Sequence, residues 1–216
     1  MARSKRLSLE NLETRDNPAT AFALGTGGIG QNTLFRFDTA TPNDLSIGIP
    51  VNNLDAGSTL VGIDYRAADG LLYGLSRDGD NFRIYTIDTT TGDATAIGAA
   101  AVQVTGTTTA VKFGVDFNPA ADRLRVITDL PSDGAGGNTN NFRMNPITGA
   151  LVAIDADLDF AALPNPATEP PEVTVAYTNN DTDPGTGTEL FGITRGDNSF
   201  GSHTSGPDFN VLNGVG

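Results

Sequence analysis

Two aspartates at matching positions of a repeated strand are the residues of this chain best placed to do chemistry. Asp64 lies in the string Gly-Ile-Asp-Tyr-Arg, and Asp116 lies in the similar string Gly-Val-Asp-Phe-Asn. If equivalent strands converge on one axis, these carboxylates could hold a calcium ion, which prefers six to eight oxygen ligands. The alternative is that each carboxylate binds backbone amides and ties one sheet to the next. Repetition favours that alternative, because repeat proteins reuse packing devices in every copy.

A second candidate calcium site lies near the end of the chain. Asn179, Asp181 and Asp183 place oxygen ligands at alternate positions before a glycine, as calcium-binding loops do. Three departures favour a solvated hairpin instead. The first position is Asn, Gly185 comes one place late, and Leu190 stands where a bidentate acid would be needed.

Further charged residues recur in or beside the predicted strands. Asp155, Asp157 and Asp159 would share one face of an extended segment, where they either bind a cation or, as we expect, face water. Arg83 and Arg143 each follow an Asn-Phe pair. We expect their stems to pack on aromatic neighbours and their charged heads to pair with surface acids.

The remaining motifs argue against catalysis and against a cofactor. His203 is the only histidine, and its Gly, Ser and Thr neighbours predict an exposed loop. The chain has no cysteine and no Gly-x-Ser-x-Gly motif, so it offers neither a thiolate nor a nucleophile elbow. Residues 25–30 match Gly-x-Gly-x-x-Gly, but strand-forming residues follow where a dinucleotide site needs a helix, so this motif predicts a turn. We predict no catalytic residue and no cofactor-binding residue, with calcium as the alternative cofactor.

The elements that position these residues are short strands. Residues 62–98 contain four runs rich in aromatic and β-branched residues, separated by turns that combine Gly with Asp or Asn. The predicted strands cover residues 63–66, 71–76, 82–88 and 94–97. Four antiparallel strands in under 40 residues form one sheet-sized unit.

The rest of the chain repeats this unit. Residues 114–155 form a second copy, residues 21–51 a looser copy with three strands, the last over 45–51, and residues 173–216 a partial copy. Such units bury their faces by stacking radially. We therefore predict an all-β, β-propeller-like domain over residues 21–216, with four-stranded antiparallel blades. About three and a half blades are found, which favours an incomplete ring.

Composition restricts the partners. The chain has 13 basic and 26 acidic residues and a net charge of −13, so its surface repels phosphate backbones and we expect no nucleic acid partner. No run approaches the ~18 apolar residues of a membrane helix, so we expect no membrane span. Residues 1–20, where charges alternate with leucine, predict an N-terminal tail without an ordinary secretory signal.

The repeated strings resemble a bacterial family, domain of unknown function 4394, across roughly residues 21–216. The matching segments are residues 60–66, 72–75, 83–88, 114–119 and 176–180. This resemblance implies a propeller-like module of secreted or surface-attached bacterial proteins, with no established activity. Members usually continue into a further blade. Separately, residues 6–15 resemble a short motif of planctomycete extracellular proteins, which implies export and an extracellular or cell-surface location.

These observations leave three functions open. The first is a non-catalytic surface module that binds a protein, a glycan or another small ligand through its loops, and we expect this more than an enzyme. The second is a calcium-dependent propeller hydrolase with the ion held by Asp64 and Asp116. The third is an incomplete propeller whose open sheet edge pairs with another copy, giving a homo-oligomer.

Overall fold

The protein is built from four antiparallel β-sheets that follow one another along the chain. The computed structural model describes residues 19–130, 138–158, 172–183, 185–194, 200–203, 209 and 212–214. The predicted tail falls almost wholly outside the described residues. Within them, helical structure is limited to one 3-10 turn at Gly28–Gly30, so the predicted all-β class is confirmed.

The first two sheets come from residues 20–103. Sheet 1 consists of β1 (Thr20–Gly25), β2 (Thr33–Asp38) and β3 (Ile49–Pro50). Sheet 2 consists of β4 (Thr59–Arg66), β5 (Leu71–Asp78), β6 (Asn81–Ile87) and β7 (Ala94–Ala96), with β8 (Val102–Gln103) paired to β6. The strand predicted over 45–51 is much shorter than expected.

The other two sheets have four strands each. Sheet 3 consists of β9 (Phe113–Asn118), β10 (Arg123–Thr128), β11 (Asn141–Met144) and β12 (Leu151–Ile154). Sheet 4 consists of β13 (Glu172–Tyr177), β14 (Leu190–Thr194), β15 (Phe200–His203) and β16 (Leu212–Gly214). In both sheets each strand pairs with the next one along the chain, so the connections are hairpins.

Three apolar clusters hold consecutive sheets face to face. Because side chains alternate along a strand, β5 sends Leu72 toward sheet 1 and Tyr73 toward sheet 3. Sheets 1 and 2 bury Leu34, Leu60 and Tyr85, and sheets 2 and 3 bury Phe82, Phe117, Val126 and Phe142. A smaller cluster between sheets 3 and 4 contains Ile127, Leu158, Val175, Leu190 and Phe209.

The first strands of sheets 2, 3 and 4 lie side by side. Gly62 in β4 permits the closest approach, because a Cβ atom there would lie 2.5 Å from Cγ2 of Val115 in β9. No pairing among the described strands closes the sheets into a barrel, and the four successive antiparallel sheets are consistent with a propeller-like fold with an incomplete ring. Across the same residues, no helix has the length and apolar character needed to cross a membrane.

Candidate functional site

The two repeated aspartates link the first strands of three consecutive sheets. Asp64 in β4 accepts a hydrogen bond from the backbone N–H of Phe117 in β9, at 2.7 Å. Asp116 in β9 accepts one from the backbone N–H of Tyr177 in β13, also at 2.7 Å. Asp64 additionally accepts from the N–H of Tyr65, at 2.8 Å. The sequence alternative in which each aspartate ties its sheet to the next is therefore seen in the structure.

The same geometry brings the two carboxyl groups against each other. Asp64 bonds to the residue that follows Asp116, and both carboxyl groups border the same small cavity, so the two carboxyl groups lie close together. Burial raises the pKa of Asp116 to about 8, and the nearby charge of Asp64 adds to this effect. Burial also raises the pKa of Asp64. Both shifts favour retention of a proton by the pair at pH values where an isolated aspartate is ionised.

This carboxyl pair is poorly suited to hold calcium. The pair and Asn180 border a cavity of about 120 Å³. Both oxygens of Asp64 already accept backbone hydrogen bonds, and calcium needs ionised carboxylates and six to eight oxygens. Among the described residues, no three His, Cys, Asp or Glu side chains are grouped so as to hold a metal ion. Calcium binding by Asp64 and Asp116 stays a prediction.

The second candidate calcium loop is closed by its own hydrogen bonds. Asp181 accepts from the N–H of Asp183 at 2.9 Å and from the hydroxyl of Thr186 at 3.0 Å. Asp183 accepts from the N–H of Gly185 at 2.8 Å, and the side-chain amide of Asn179 donates to a backbone carbonyl across the loop. These bonds are those of an exposed Asx-rich turn. They leave calcium binding there a prediction as well.

A polar network that the sequence did not reveal fills the junction between sheets 3 and 4. Arg125 on β10 is 1% exposed, and its guanidinium contacts Asp155 at 3.1 Å and the side-chain oxygen of Asn141. Arg143 on β11, directly opposite Arg125, forms a two-pronged pair with the same Asp155, with both N···O distances 2.6 Å. One buried carboxylate therefore holds two arginines in fixed positions.

These arginines border a cavity of about 350 Å³, which we call the arginine cavity. Its walls include Arg123, Arg125, Arg143, Ala120, Tyr177 and Phe209. The Tyr177 hydroxyl accepts a hydrogen bond from Nε of Arg125 at 2.6 Å, and the Tyr177 and Phe209 rings meet edge to face at 5.5 Å. The Arg125 guanidinium also lies over the Phe209 ring, at 5.3 Å from its centroid. Burial raises the pKa of Tyr177, so its hydroxyl stays protonated.

A larger cavity, of about 510 Å³, lies against sheets 2 and 3 and is bordered by Arg77 and Lys112. Its arginine has a structural role, because Arg77 donates to the backbone carbonyls of Gly79, Ala110 and Thr108. The arginine cavity is therefore the better candidate site, although it is smaller. There, the side chain of Asp155 rather than backbone carbonyls fixes the guanidinium groups of Arg125 and Arg143.

Three sequence predictions are wrong at this junction. His203 is not on an exposed loop: it ends β15, is 6% exposed, and its Nδ1 lies 2.7 Å from the carbonyl oxygen of Phe209. Asp155 does not face water as expected: it is 7% exposed and pairs with two guanidinium groups. Arg143 accordingly pairs with a buried acid, whereas Arg83 pairs with the partly exposed Asp55 as expected. Residue 159 lies outside the described residues.

The sequence did contain one signal for this site. When the second and third sheets are aligned on Asp64 and Asp116, the position of Tyr73 in β5 is taken by Arg125 in β10. Tyr73 packs edge to face on Phe117 at 5.2 Å, while Arg125 bonds to the hydroxyl of Tyr177. A charged residue at a position that is aromatic in the other copy marks the junction where the repeat changes its chemistry.

Comparison with known proteins identifies the family but no activity. The model of the family described as Domain of unknown function (DUF4394) matches residues 33–216. No curated protein matches the chain. A putative 6-phosphogluconolactonase from Bacteroides uniformis ATCC 8492 is similar in structure, with 16% identity and a TM-score of 0.46 over 86% of this chain and 50% of that one. The Bacteroides ovatus xyloglucan PUL GH43B protein is similar at 16% identity and a TM-score of 0.47, over 90% of this chain and 41% of that one. The chain thus spans half or less of these two proteins.

Proposed function

The chain belongs to this family of unknown function, and we propose that it is a non-catalytic module that binds a ligand in the arginine cavity. One observation carries the proposal: Asp155 holds Arg125 and Arg143 in place at the wall of an open cavity. Side chains fixed in this way set the shape of the cavity wall before a ligand binds, so binding there loses little side-chain conformational entropy.

The surroundings of the titratable groups support binding rather than turnover. General base catalysis needs an acceptor within reach of a substrate proton. Asp155 accepts from two guanidinium groups, and Asp64 and Asp116 accept from backbone amides. His203 is buried against a backbone carbonyl. The resemblance of residues 6–15 to exported proteins supports a place for this module outside the cell.

Ligand screening with a blocked cavity tests the proposal. Libraries of mono- and oligosaccharides and of small organic acids are screened by thermal shift, and hits are confirmed by calorimetry. Ala120→Trp places a bulky ring in the cavity wall, and Ala68→Trp, in the corresponding turn of sheet 2, is the matched control. We expect Ala120→Trp alone to abolish binding. Turnover of an ester, lactone or glycoside by the parent protein would refute the proposal.

A second candidate function, assembly with another folded unit, is favoured by the outer face of sheet 4. Ile193 and Phe200 are 43% and 48% exposed, and Phe200 stacks on Phe191 with ring centroids 5.3 Å apart. In sheets 2 and 3 the central strands pack on both faces against a neighbouring sheet. Light scattering tests this candidate. Self-association that Phe200→Ser abolishes supports it, and a clean monomer at high concentration counts against it.

A further inference from the structure

We propose that the arginine cavity recognises the carboxylate of a small acidic sugar, a uronic acid unit, and that Arg123 is the residue that binds this carboxylate. This inference deepens the proposed function and rests on it. It goes further by naming the ligand's chemical class and the residue that selects it.

Arg123 is placed to bind an oxyanion. It begins β10, on the same strand face as Arg125, and is half-buried at the cavity wall. Its Nη1 donates to the backbone carbonyl of Asp122 at 2.7 Å. The rest of its guanidinium makes no hydrogen bond or ion pair with the described residues. A guanidinium carries five N–H donors in a planar fork, so Arg123 can bind a carboxylate with two parallel hydrogen bonds.

The neighbouring groups strengthen the attraction for a negative charge. Arg125 and Arg143 line the same cavity and are held there by Asp155. Three of the eight basic residues among the described residues therefore border one cavity, in a chain with a net charge of −13. Because interactions between charges are stronger in a partly desolvated cleft than in water, this arrangement favours an anion locally.

The charge and shape of the site select the ligand class. Asp155 already pairs with Arg125 and Arg143, so Arg123 is the arginine that meets the ligand, and one guanidinium fork matches one singly charged carboxylate. The non-arginine walls are largely apolar, with Ala120, Ala121, Phe209 and the ring of Tyr177, so the body of the ligand should have C–H surfaces as well as hydroxyls. A volume of about 350 Å³ lies at the small end of ligand sites, which fits one pyranose ring.

Calorimetry with matched sugars tests the inference. Galacturonate and glucuronate are titrated into the full chain beside galactose and glucose, which have the same ring without the carboxylate, and beside galactose 1-phosphate. Arg123→Ala removes the guanidinium, and Arg123→Lys keeps the charge but loses the fork. Arg36→Ala, an exposed arginine of β2 in sheet 1, is the control for a general loss of positive charge. Circular dichroism confirms that each variant is folded.

We expect uronates to bind, neutral sugars to bind at least 10-fold more weakly, and Arg123→Ala to weaken uronate binding by about 10- to 100-fold. Arg123→Lys should recover part of that loss, and Arg36→Ala should change nothing. Equal affinity for galacturonate and galactose, preference for the phosphate, or uronate affinity unchanged in Arg123→Ala overturns this inference. If neutral sugars bind and Ala120→Trp prevents this binding, the proposed function holds although the preference for a uronate is refuted. If nothing binds, both fail.

Discussion

Replacing each member of the carboxyl pair by its amide should have opposite effects, although the two residues are equivalent in the repeat. Asp116 accepts a hydrogen bond from the N–H of Tyr177, and its carboxyl group lies close to that of Asp64. In Asp116→Asn the amide oxygen still accepts from Tyr177, and the amide N–H donates to Asp64. Asp64 accepts from two backbone N–H groups, so Asp64→Asn turns an NH₂ group toward a donor.

The magnitude for Asp116→Asn follows from proton linkage. The pKa of Asp116 is raised from an ordinary value of 3.8 to about 8, so the folded state holds a proton that the unfolded state releases. The stability that this proton contributes is fully present below pH 4 and is lost as the pH rises toward 8. At about 1.4 kcal/mol per pH unit, the loss between pH 5 and pH 9 has an upper limit of about 4 kcal/mol. Because Asp116 is only half-buried, solvent screening reduces our expectation to roughly 2 kcal/mol.

Urea unfolding at pH 5 and pH 9, followed by circular dichroism, measures these differences. At pH 5 Asp116→Asn should match the parent to within about 0.5 kcal/mol, and at pH 9 it should be more stable by about 2 kcal/mol. Asp64→Asn should be less stable at pH 5 by about 1–3 kcal/mol, the cost of an unsatisfied buried donor. The neighbouring side chains Arg125 and Tyr177 are present in the parent and in both variants, so the replaced carboxyl group is the difference in sequence between the proteins. If the stability of Asp116→Asn equals that of the parent at both pH 5 and pH 9, the raised pKa of Asp116 is refuted.

Three further predictions follow from the packing and the charges. Gly62→Ala should lower the free energy of unfolding by about 1–3 kcal/mol, because the new methyl group collides with Val115. The double variant Gly62→Ala with Val115→Ala should recover most of that loss. Thermal or urea unfolding measures both differences. Asp155→Asn should lower the free energy of unfolding by about 3–5 kcal/mol, because it leaves the guanidinium groups of Arg125 and Arg143 beside a neutral amide. The control Asp55→Asn, at the partly exposed pair with Arg83, should lower the free energy of unfolding by less than about 1 kcal/mol. Millimolar calcium should leave the melting temperature of the parent and of Asp181→Asn unchanged, because the loop carboxylates already accept hydrogen bonds within their own turn. A melting temperature that rises with calcium in the parent but not in Asp181→Asn would contradict this prediction.

The repeat and the strands of sheets 2 and 3 could be predicted because their signals are local. Gly70 and Gly79 adopt positive φ angles, +68° and +58°, in the turns that flank β5, and few other residues adopt such angles without strain. The apolar residues of each run then form both faces of the predicted strand, because side chains alternate between faces along a strand. The prediction of a strand over 45–51 was too long, because only Ile49–Pro50 pairs with a neighbouring strand. Whether a segment finds such a partner depends on the rest of the fold and not on its local sequence.

The buried charges could not be predicted in the same way. Asp155 follows β12 and Arg125 lies in β10, so whether either is buried depends on a contact between residues 30 positions apart. Composition alone places both at the surface, because unpaired charges are rarely buried. His203 shows the same limit. Its Gly and Ser neighbours indicate a loop, but sheet pairing places it in β15.

The comparison of the two junctions explains why the candidate site lies beside sheet 4. Both junctions use the same aspartate tie, from Asp64 to Phe117 and from Asp116 to Tyr177, so the backbones of the first strands are held alike. The side chain that packs on the tied residue differs: Tyr73 at one junction and Arg125 at the other. The Tyr73–Phe117 aromatic pair fills the first junction. At the second junction Asp155 compensates the charge of Arg125, and a cavity remains beside it. Since the tie holds the Tyr177 backbone and Arg125 holds its hydroxyl, that cavity wall is fixed at both ends before any ligand arrives.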